Sequence, residues 1–169
     1  FVYSKGVEDG LRAIAELRKR GYSVSLIRVA SIRDTRSEES DITRIDRYYF
    51  RLKPPEMAAL YRNTDLLLAP TRAQEGFGLP FAEALASGLP VVATAIPSYL
   101  SLDSRKDYAC FVDAYDWQAM AEAAARVLDT KKLKKALAKR GPRLIRERFS
   151  PGLVAERLER LFSTYASAE

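Results

Sequence analysis

An α/β fold, built on a parallel sheet with helices on both faces, is what three features of this 169-residue sequence predict. Apolar positions switch repeatedly between a helical period and short β-branched runs. The strand-like runs are separated by helix-length segments rather than tight turns, which is the pattern of βαβ units. Glycine and proline fall between the two kinds of segment, where they stop or start them. The length suits one domain, since domains cluster near roughly 100–150 residues. A chain of this size buries about 68–70% of its unfolded surface, so its core needs neither disulfide nor metal.

Taken in order, Phe1–Gly6 has neither a methionine start nor a signal-peptide layout and reads as a chain entered partway through a strand. Val7 to Arg20 places Val7, Leu11, Ile14 and Leu17 on one face and ends at Gly21, an amphipathic helix with a glycine stop. Tyr22 to Ala30 is rich in β-branched residues and reads as a strand. Residues 31–46 are polar and predict an exposed loop with room for a short helix, and Tyr48–Phe50 predicts a short strand. Pro54-Pro55 opens the next helix, at proline's favoured first positions. Asp65 to Pro70 reads as a buried strand, Pro80 to Ser87 as a helix closed by Gly88, and Pro90 to Thr94 as the next strand. Ala109 to Asp113 is a further strand. The alanine-rich helix from Asp116 to Asp129 has Asp116 as N-cap and Trp117, Met120, Ala121, Ala124 and Leu128 on its inner face. The tail is helical over Lys131–Arg148, breaks at Ser150-Pro151-Gly152, and resumes from Leu153 to Ala166. The sum is a Rossmann-like, doubly wound parallel sheet with a helical C-terminal tail. The whole of 1–169 forms one domain, with 131–169 as a basic helical tail.

Composition narrows the chemistry. The chain has no histidine, which excludes a Ser-His-Asp triad, a histidine general base and a histidine metal site. Its single cysteine cannot form an internal bridge. The net charge of +6 is uneven: residues 131–160 hold eleven of the 28 basic side chains but three of the 22 acids. That block suits anionic lipid, nucleic acid or an acidic partner face, and equally an ordinary solvated helix surface. Aromatic residues are sparse within it, against single-strand stacking.

In open α/β sheets ligands bind beyond the carboxyl ends of the strands. The loop after Asp65–Pro70 lies at that edge and carries Pro70-Thr71-Arg72-Ala73-Gln74-Glu75-Gly76-Phe77-Gly78-Leu79-Pro80-Phe81-Ala82-Glu83-Ala84. Its glycines permit positive φ and close approach of a ligand. Free N–H groups around Gly78–Phe81, at the positive end of a helix, suit a phosphate. Glu83, about one turn in, can accept two hydrogen bonds from a ribose diol. Glu75 can hold a hydroxyl-rich ligand or stabilise positive charge. Read singly, Gly-Phe-Gly is equally a strand-to-helix turn, and Glu83 an acid favoured by the helix dipole. A glycosidase pair of carboxylates explains neither the phosphate-ready helix start nor the parallel sheet.

Taken together, EGFGLPFAEALASGLPVVAT resembles the glutamate–seven–glutamate motif of the family 4 (group 1) glycosyltransferases, which have a two-domain B-type fold. Ala58–Asp65 resembles the helix and strand entry before that motif, and Lys5-Gly6-Val7 resembles the family's first loop. The likeness runs from about residue 3 to 165. It implies the donor-binding half of a retaining enzyme that transfers a hexosyl group from a nucleoside-diphosphate sugar to an acceptor hydroxyl. By position, Glu83 would bind ribose and Glu75 the donor sugar. The backbone of Gly76, Phe77, Gly78 and Leu79 would meet sugar hydroxyls or phosphate. Lys5 would neutralise the diphosphate leaving group, largely without a metal or other cofactor; a cation there opposes charge gained in the transition state. Arg51-Leu52 falls where the base packs. Thr71 either holds the diphosphate or caps the loop.

The resemblance further implies a UDP-, GDP- or ADP-sugar donor, an N-terminal acceptor domain outside this chain, and a cytoplasmic enzyme whose isolated half transfers little. The basic tail adds an expectation of peripheral contact with a membrane's inner face, and not of nucleic-acid binding. Two departures stand out. The arginine usual before the first-loop lysine is not supplied by Phe1–Ser4, and Ile96-Pro97-Ser98-Tyr99 stands where a Gly-Gly pair is common. These departures fit the rival reading, a degenerate, non-catalytic domain used as a binding or scaffolding module.

Overall fold

The computed structural model describes residues 3–31, 35–72 and 75–166. In chain order they form α1 (Val7–Lys19), β1 (Ile27–Ala30), α2 (Arg36–Ser40), β2 (Arg47–Phe50), α3 (Pro54–Arg62), β3 (Leu67–Ala69) and α4 (Leu79–Ala86). There follow β4 (Val91–Thr94), α5 (Pro97–Leu100), β5 (Cys110–Val112), α6 (Trp117–Asp129), α7 (Lys131–Phe149) and α8 (Pro151–Ala166). Every strand pairing is parallel: β1 with β2, β3 with β4, and β4 with β5. The α/β class, the parallel pairing and the helical tail are as the periodicity implied.

Four expectations need correction. Where a strand was expected over Phe1–Gly6, Tyr3–Lys5 is a single 3-10 turn, and Phe1 and Val2 lie outside the described residues. The strand expected from Tyr22 begins only at Ile27, because other contacts, most of them to residues distant in sequence, take up the preceding groups. The Val24 N–H donates to the Tyr22 carbonyl, the Tyr22 hydroxyl to Asp129, and the Leu26 N–H to the Asp46 carboxylate at 2.7 Å. Among the described residues the strands fall into two parallel sheets, β1–β2 and β3–β4–β5, rather than one. Finally, α5 adds a short helix where the sequence showed only Ile96-Pro97-Ser98-Tyr99. Within 31–46 the short helix is α2, and residues 32–34 lie outside the described residues.

Both faces of the three-stranded sheet are covered, as a doubly wound fold requires. Alternate residues of β4 point to opposite sides. Val91 and Ala93 join Tyr61, Phe81, Leu85, Tyr99, Tyr108 and Leu144 in one core, whereas Val92 joins Ala13, Leu17, Met120, Ala124 and Val127 in the other. The inner face of α6 is centred on Met120, Ala121, Ala124 and Val127, with Trp117 and Leu128 at its half-buried margins. Asp116 caps that helix, its Oδ1 accepting from the Ala119 N–H at 2.8 Å. Such a cap stabilises by about 1 kcal/mol.

α7 passes through Pro142 without ending. Proline has no N–H to offer the carbonyl four residues back, and that carbonyl, on Ala138, turns towards Gly88, where a Cβ would come within 3.3 Å of it. Gly141 likewise lets α7 settle onto α4, since a Cβ there would stand 2.8 Å from the Leu85 oxygen.

α1 orients the two sheets. Its first residue follows Gly6, which packs on the Pro70 carbonyl beyond β3. Near its other end Arg18 bonds Thr43, the Arg44 carbonyl and Asp46, just before β2. The helix therefore runs back from the exit of β3 to the entrance of β2. Both sheets point the same way and share one carboxyl edge.

Candidate functional site

Two loops meet at that edge. The Arg72 N–H donates to the Ser4 carbonyl at 2.8 Å, which ties the first loop to the segment leaving β3. A buried ion pair repeats the tie, Arg72 Nη2 meeting Asp9 Oδ2 at 3.0 Å, and the Arg72 guanidinium lies 4.5 Å from the Tyr115 ring centroid. Gly6 makes the approach possible. It sits at φ 57° with the Pro70 oxygen only 1.9 Å from where its Cβ would stand. Through these contacts Lys5, which is exposed, is set opposite Glu75, and their side chains form an ion pair. The sequence had given these two residues separate roles; the fold brings them into contact.

The Gly76–Leu79 turn rests on an aromatic support. Gly78, at φ 76°, has Tyr99 directly beneath it, and an added Cβ would meet Tyr99 Cε1 at 2.4 Å. Tyr99 is fully buried, stacks on Phe81 with centroids 4.1 Å apart, and donates to Thr71 Oγ1 at 3.2 Å. Burial pushes its phenol above the ordinary range, so the hydroxyl remains a donor. The residues standing in place of Gly-Gly therefore build the floor of the turn. Thr71 is buried against that floor, and its carbonyl also accepts from the Thr94 hydroxyl.

The helix start is narrower as an anion site than expected. The Phe81 N–H donates to the Gly78 carbonyl at 2.9 Å, and Pro80 has no N–H. Among the described residues the Phe77, Gly78 and Leu79 amides donate to no backbone acceptor. Phe77 and Leu79 themselves are exposed, with Phe77 edge-on to Phe149 at 5.3 Å.

Glu83 is exposed on α4, and its Oε2 accepts from the Tyr61 hydroxyl at 3.1 Å. Tyr61, on α3, was missed in the sequence. Its only local signal was membership of the Ala58–Asp65 string, and nothing local joins it to a residue 22 positions away. Arg51 and Leu52 stand at the carboxyl end of β2. Arg51 takes the left-handed φ of 56°, donates its N–H to the Ala30 carbonyl at 2.9 Å, and lays its guanidinium 5.0 Å from the Phe50 ring centroid. The structure thus joins Lys5 to Glu75 and Thr71 to the Gly78 floor, while Glu83 and Arg51 occupy separate stations. Among the described residues no trio of Cys, Asp or Glu side chains is placed to hold a metal ion.

The family model described as "Glycosyl transferases group 1" matches residues 1–130, and the chain belongs to that family. Among curated proteins it is similar to the capsular polysaccharide biosynthesis glycosyltransferase CapM of Staphylococcus aureus, 24% identical over 98% of this chain and 44% of CapM. Among solved structures, sucrose-phosphate synthase of Thermosynechococcus elongatus superposes with a TM-score of 0.84 at 23% identity, over 99% of this chain and 44% of that one. Anabaena HepE in complex with UDP superposes with a TM-score of 0.80 at 18% identity, over 95% of this chain and 46% of HepE. At such identities the two structures establish the shared fold. The chain spans under half the length of all three proteins.

Proposed function

We propose that this chain is the donor-binding half of a retaining glycosyltransferase that moves a hexosyl group from a nucleoside-diphosphate sugar to an acceptor hydroxyl. One observation carries the reading: Lys5 and Glu75, from loops 70 residues apart, are brought together beside the Gly76–Leu79 turn at the carboxyl edge of a parallel sheet. A cation beside amides that donate to no backbone acceptor among the described residues suits a diphosphate, and a carboxylate beside them suits sugar hydroxyls. In the reaction the C1–oxygen bond to the diphosphate breaks and negative charge gathers on the departing phosphate. Lys5 and the Gly78 and Leu79 amides oppose that charge, so no metal is called for. Glu75 then holds the sugar, Glu83 the ribose hydroxyls, and the Arg51-Leu52 ledge the base. Thr71 braces the loop from below.

The acceptor half lies outside this chain in this reading. Two facts support that: the matches span under half of each relative, and α8 carries an uncovered apolar ridge of Leu158, Leu161, Phe162 and Tyr165. That HepE was crystallised with UDP supports a nucleoside diphosphate as ligand. The test is calorimetric titration of UDP, GDP and ADP into the chain and into Glu83→Ala. We expect weak binding of one of them, lost in the variant, with little transfer by the chain alone. Binding of none, or binding indifferent to Glu83, would leave the non-catalytic module as the better account.

A peripheral membrane contact is a second proposal, and it rests on α7. Lys131, Lys132, Lys135, Lys139 and Arg146 are exposed along one stripe of that helix, opposite buried Leu137, Gly141 and Leu144. Among the described residues none of the five has an acidic partner. No helix of the described residues is long and apolar enough to cross a membrane.

A further inference from the structure

Tyr61 lies on α3, outside the motif that carries Glu83, yet its hydroxyl meets the Glu83 carboxylate. We infer that Tyr61 is a positioning residue for Glu83: its hydroxyl holds the carboxylate in the orientation that receives the ribose diol. The inference rests on the reading of Glu83 as the ribose ligand and goes beyond it.

Tyr61 is 5% exposed, and its ring belongs to the core that contains Phe81, Leu85 and Tyr99, so its hydroxyl is fixed by packing. Glu83 is exposed and has three side-chain torsions to lose when a ligand orders it. The single bond from Tyr61 Oη to Glu83 Oε2, at 3.1 Å, removes much of that freedom before any ligand arrives. It also leaves enough acceptor capacity. A carboxylate offers about four lone-pair sites, and Tyr61 uses one of them. Oε1 and the second site on Oε2 can each accept from one hydroxyl of a vicinal diol.

The direction of the bond is secure. Burial first, and then the charge of Glu83, hold the Tyr61 phenol well above its ordinary range, so it stays protonated and donates. Because Glu83 faces solvent, removing the phenol oxygen strands no buried partner. Tyr61→Phe therefore keeps the packed ring and loses only the tether.

The experiment is a ligand comparison on the same 169-residue chain. Wild type, Tyr61→Phe, Glu83→Ala and the double variant are titrated with UDP and with 2′,3′-dideoxyuridine diphosphate, and likewise with the guanosine and adenosine pairs. Wild type is expected to prefer the ribo compound. Tyr61→Phe should weaken the ribo compound about three- to tenfold, the range expected from freeing one long side chain. Binding of the dideoxy compound should stay within about 1.5-fold by the same reasoning, because the diol is the only partner lost. In the Glu83→Ala background Tyr61→Phe should change nothing. A general loosening of the fold would weaken both ligands alike, so the ribo-to-dideoxy ratio isolates positioning. A wild type that binds no nucleotide, or ignores the ribose hydroxyls, overturns the reading of Glu83 and this inference with it. A wild-type preference that survives Tyr61→Phe unchanged, or a loss shared equally by both ligands, overturns the inference alone.

Discussion

Gly6→Ala isolates what holds the first loop against the motif loop. Gly6 sits at φ 57°, where a residue with a Cβ loses about 1–2 kcal/mol. The new methyl would also stand 1.9 Å from the Pro70 carbonyl oxygen and 2.9 Å from its carbon, both backbone atoms that cannot rotate aside. Forcing such a pair apart costs a further ~1–3 kcal/mol. The sum is about 2–5 kcal/mol, a large part of the roughly 5–15 kcal/mol that holds a domain together. Gly76→Ala is the matched control, in the same site but with no positive φ and nothing within 4 Å of the added carbon. It should stay within about 0.5 kcal/mol of wild type. Urea unfolding followed by the fluorescence of the single tryptophan, Trp117, reads both. Lys5 should also be displaced from Glu75 in Gly6→Ala, weakening nucleotide binding more than Gly76→Ala does. Equal stability of the two variants would refute the close approach of the loops and with it the geometry proposed for Lys5.

Two further outcomes follow from the charges. The Arg105 N–H at 2.9 Å, together with Arg140, holds the Asp103 carboxyl below its usual range. A depressed carboxylate adds stability that is complete above its unfolded pKa and disappears as pH falls through the folded value. Wild type should therefore lose urea resistance below about pH 4, whereas Asp103→Asn should show a flatter acid limb; parallel curves would exclude Asp103 as a source. On the α7 stripe, Lys131→Gln/Lys135→Gln/Lys139→Gln should lower sedimentation with phosphatidylserine vesicles about a hundredfold, at about 1 kcal/mol per cation. Phosphatidylcholine vesicles should bind neither form, and an unchanged anionic affinity would reject the contact.

Most of the fold was legible in the chain itself. Helix periodicity, proline starts and glycine stops marked α1, α3, α4 and α6 within a residue or two, because those signals act over one or two turns. The Glu75–Glu83 string marked the candidate site for the same reason: a strand, a turn and a helix start are contiguous. What failed was set by distant partners. Asp46 takes the Leu26 N–H and helps to shorten β1, although nothing near Tyr22–Leu26 announces it. α5 was overlooked because Ile96-Pro97-Ser98-Tyr99 reads as a loop, yet Tyr99 finds Phe81 and Thr71 to pack against.

The sequence by itself determined the alternation of strands and helices, the family and the residue types available for chemistry, with histidine excluded. Each of these is a property of composition or of short stretches. Only the tertiary structure decided that Lys5 faces Glu75, that Gly78 rests on Tyr99, that the Tyr61 hydroxyl meets Glu83, and that the strands of the described residues divide into two sheets. Such pairings join residues tens of positions apart. They depend on which surfaces bury together and which backbone groups still need a partner, and no local pattern carries that information.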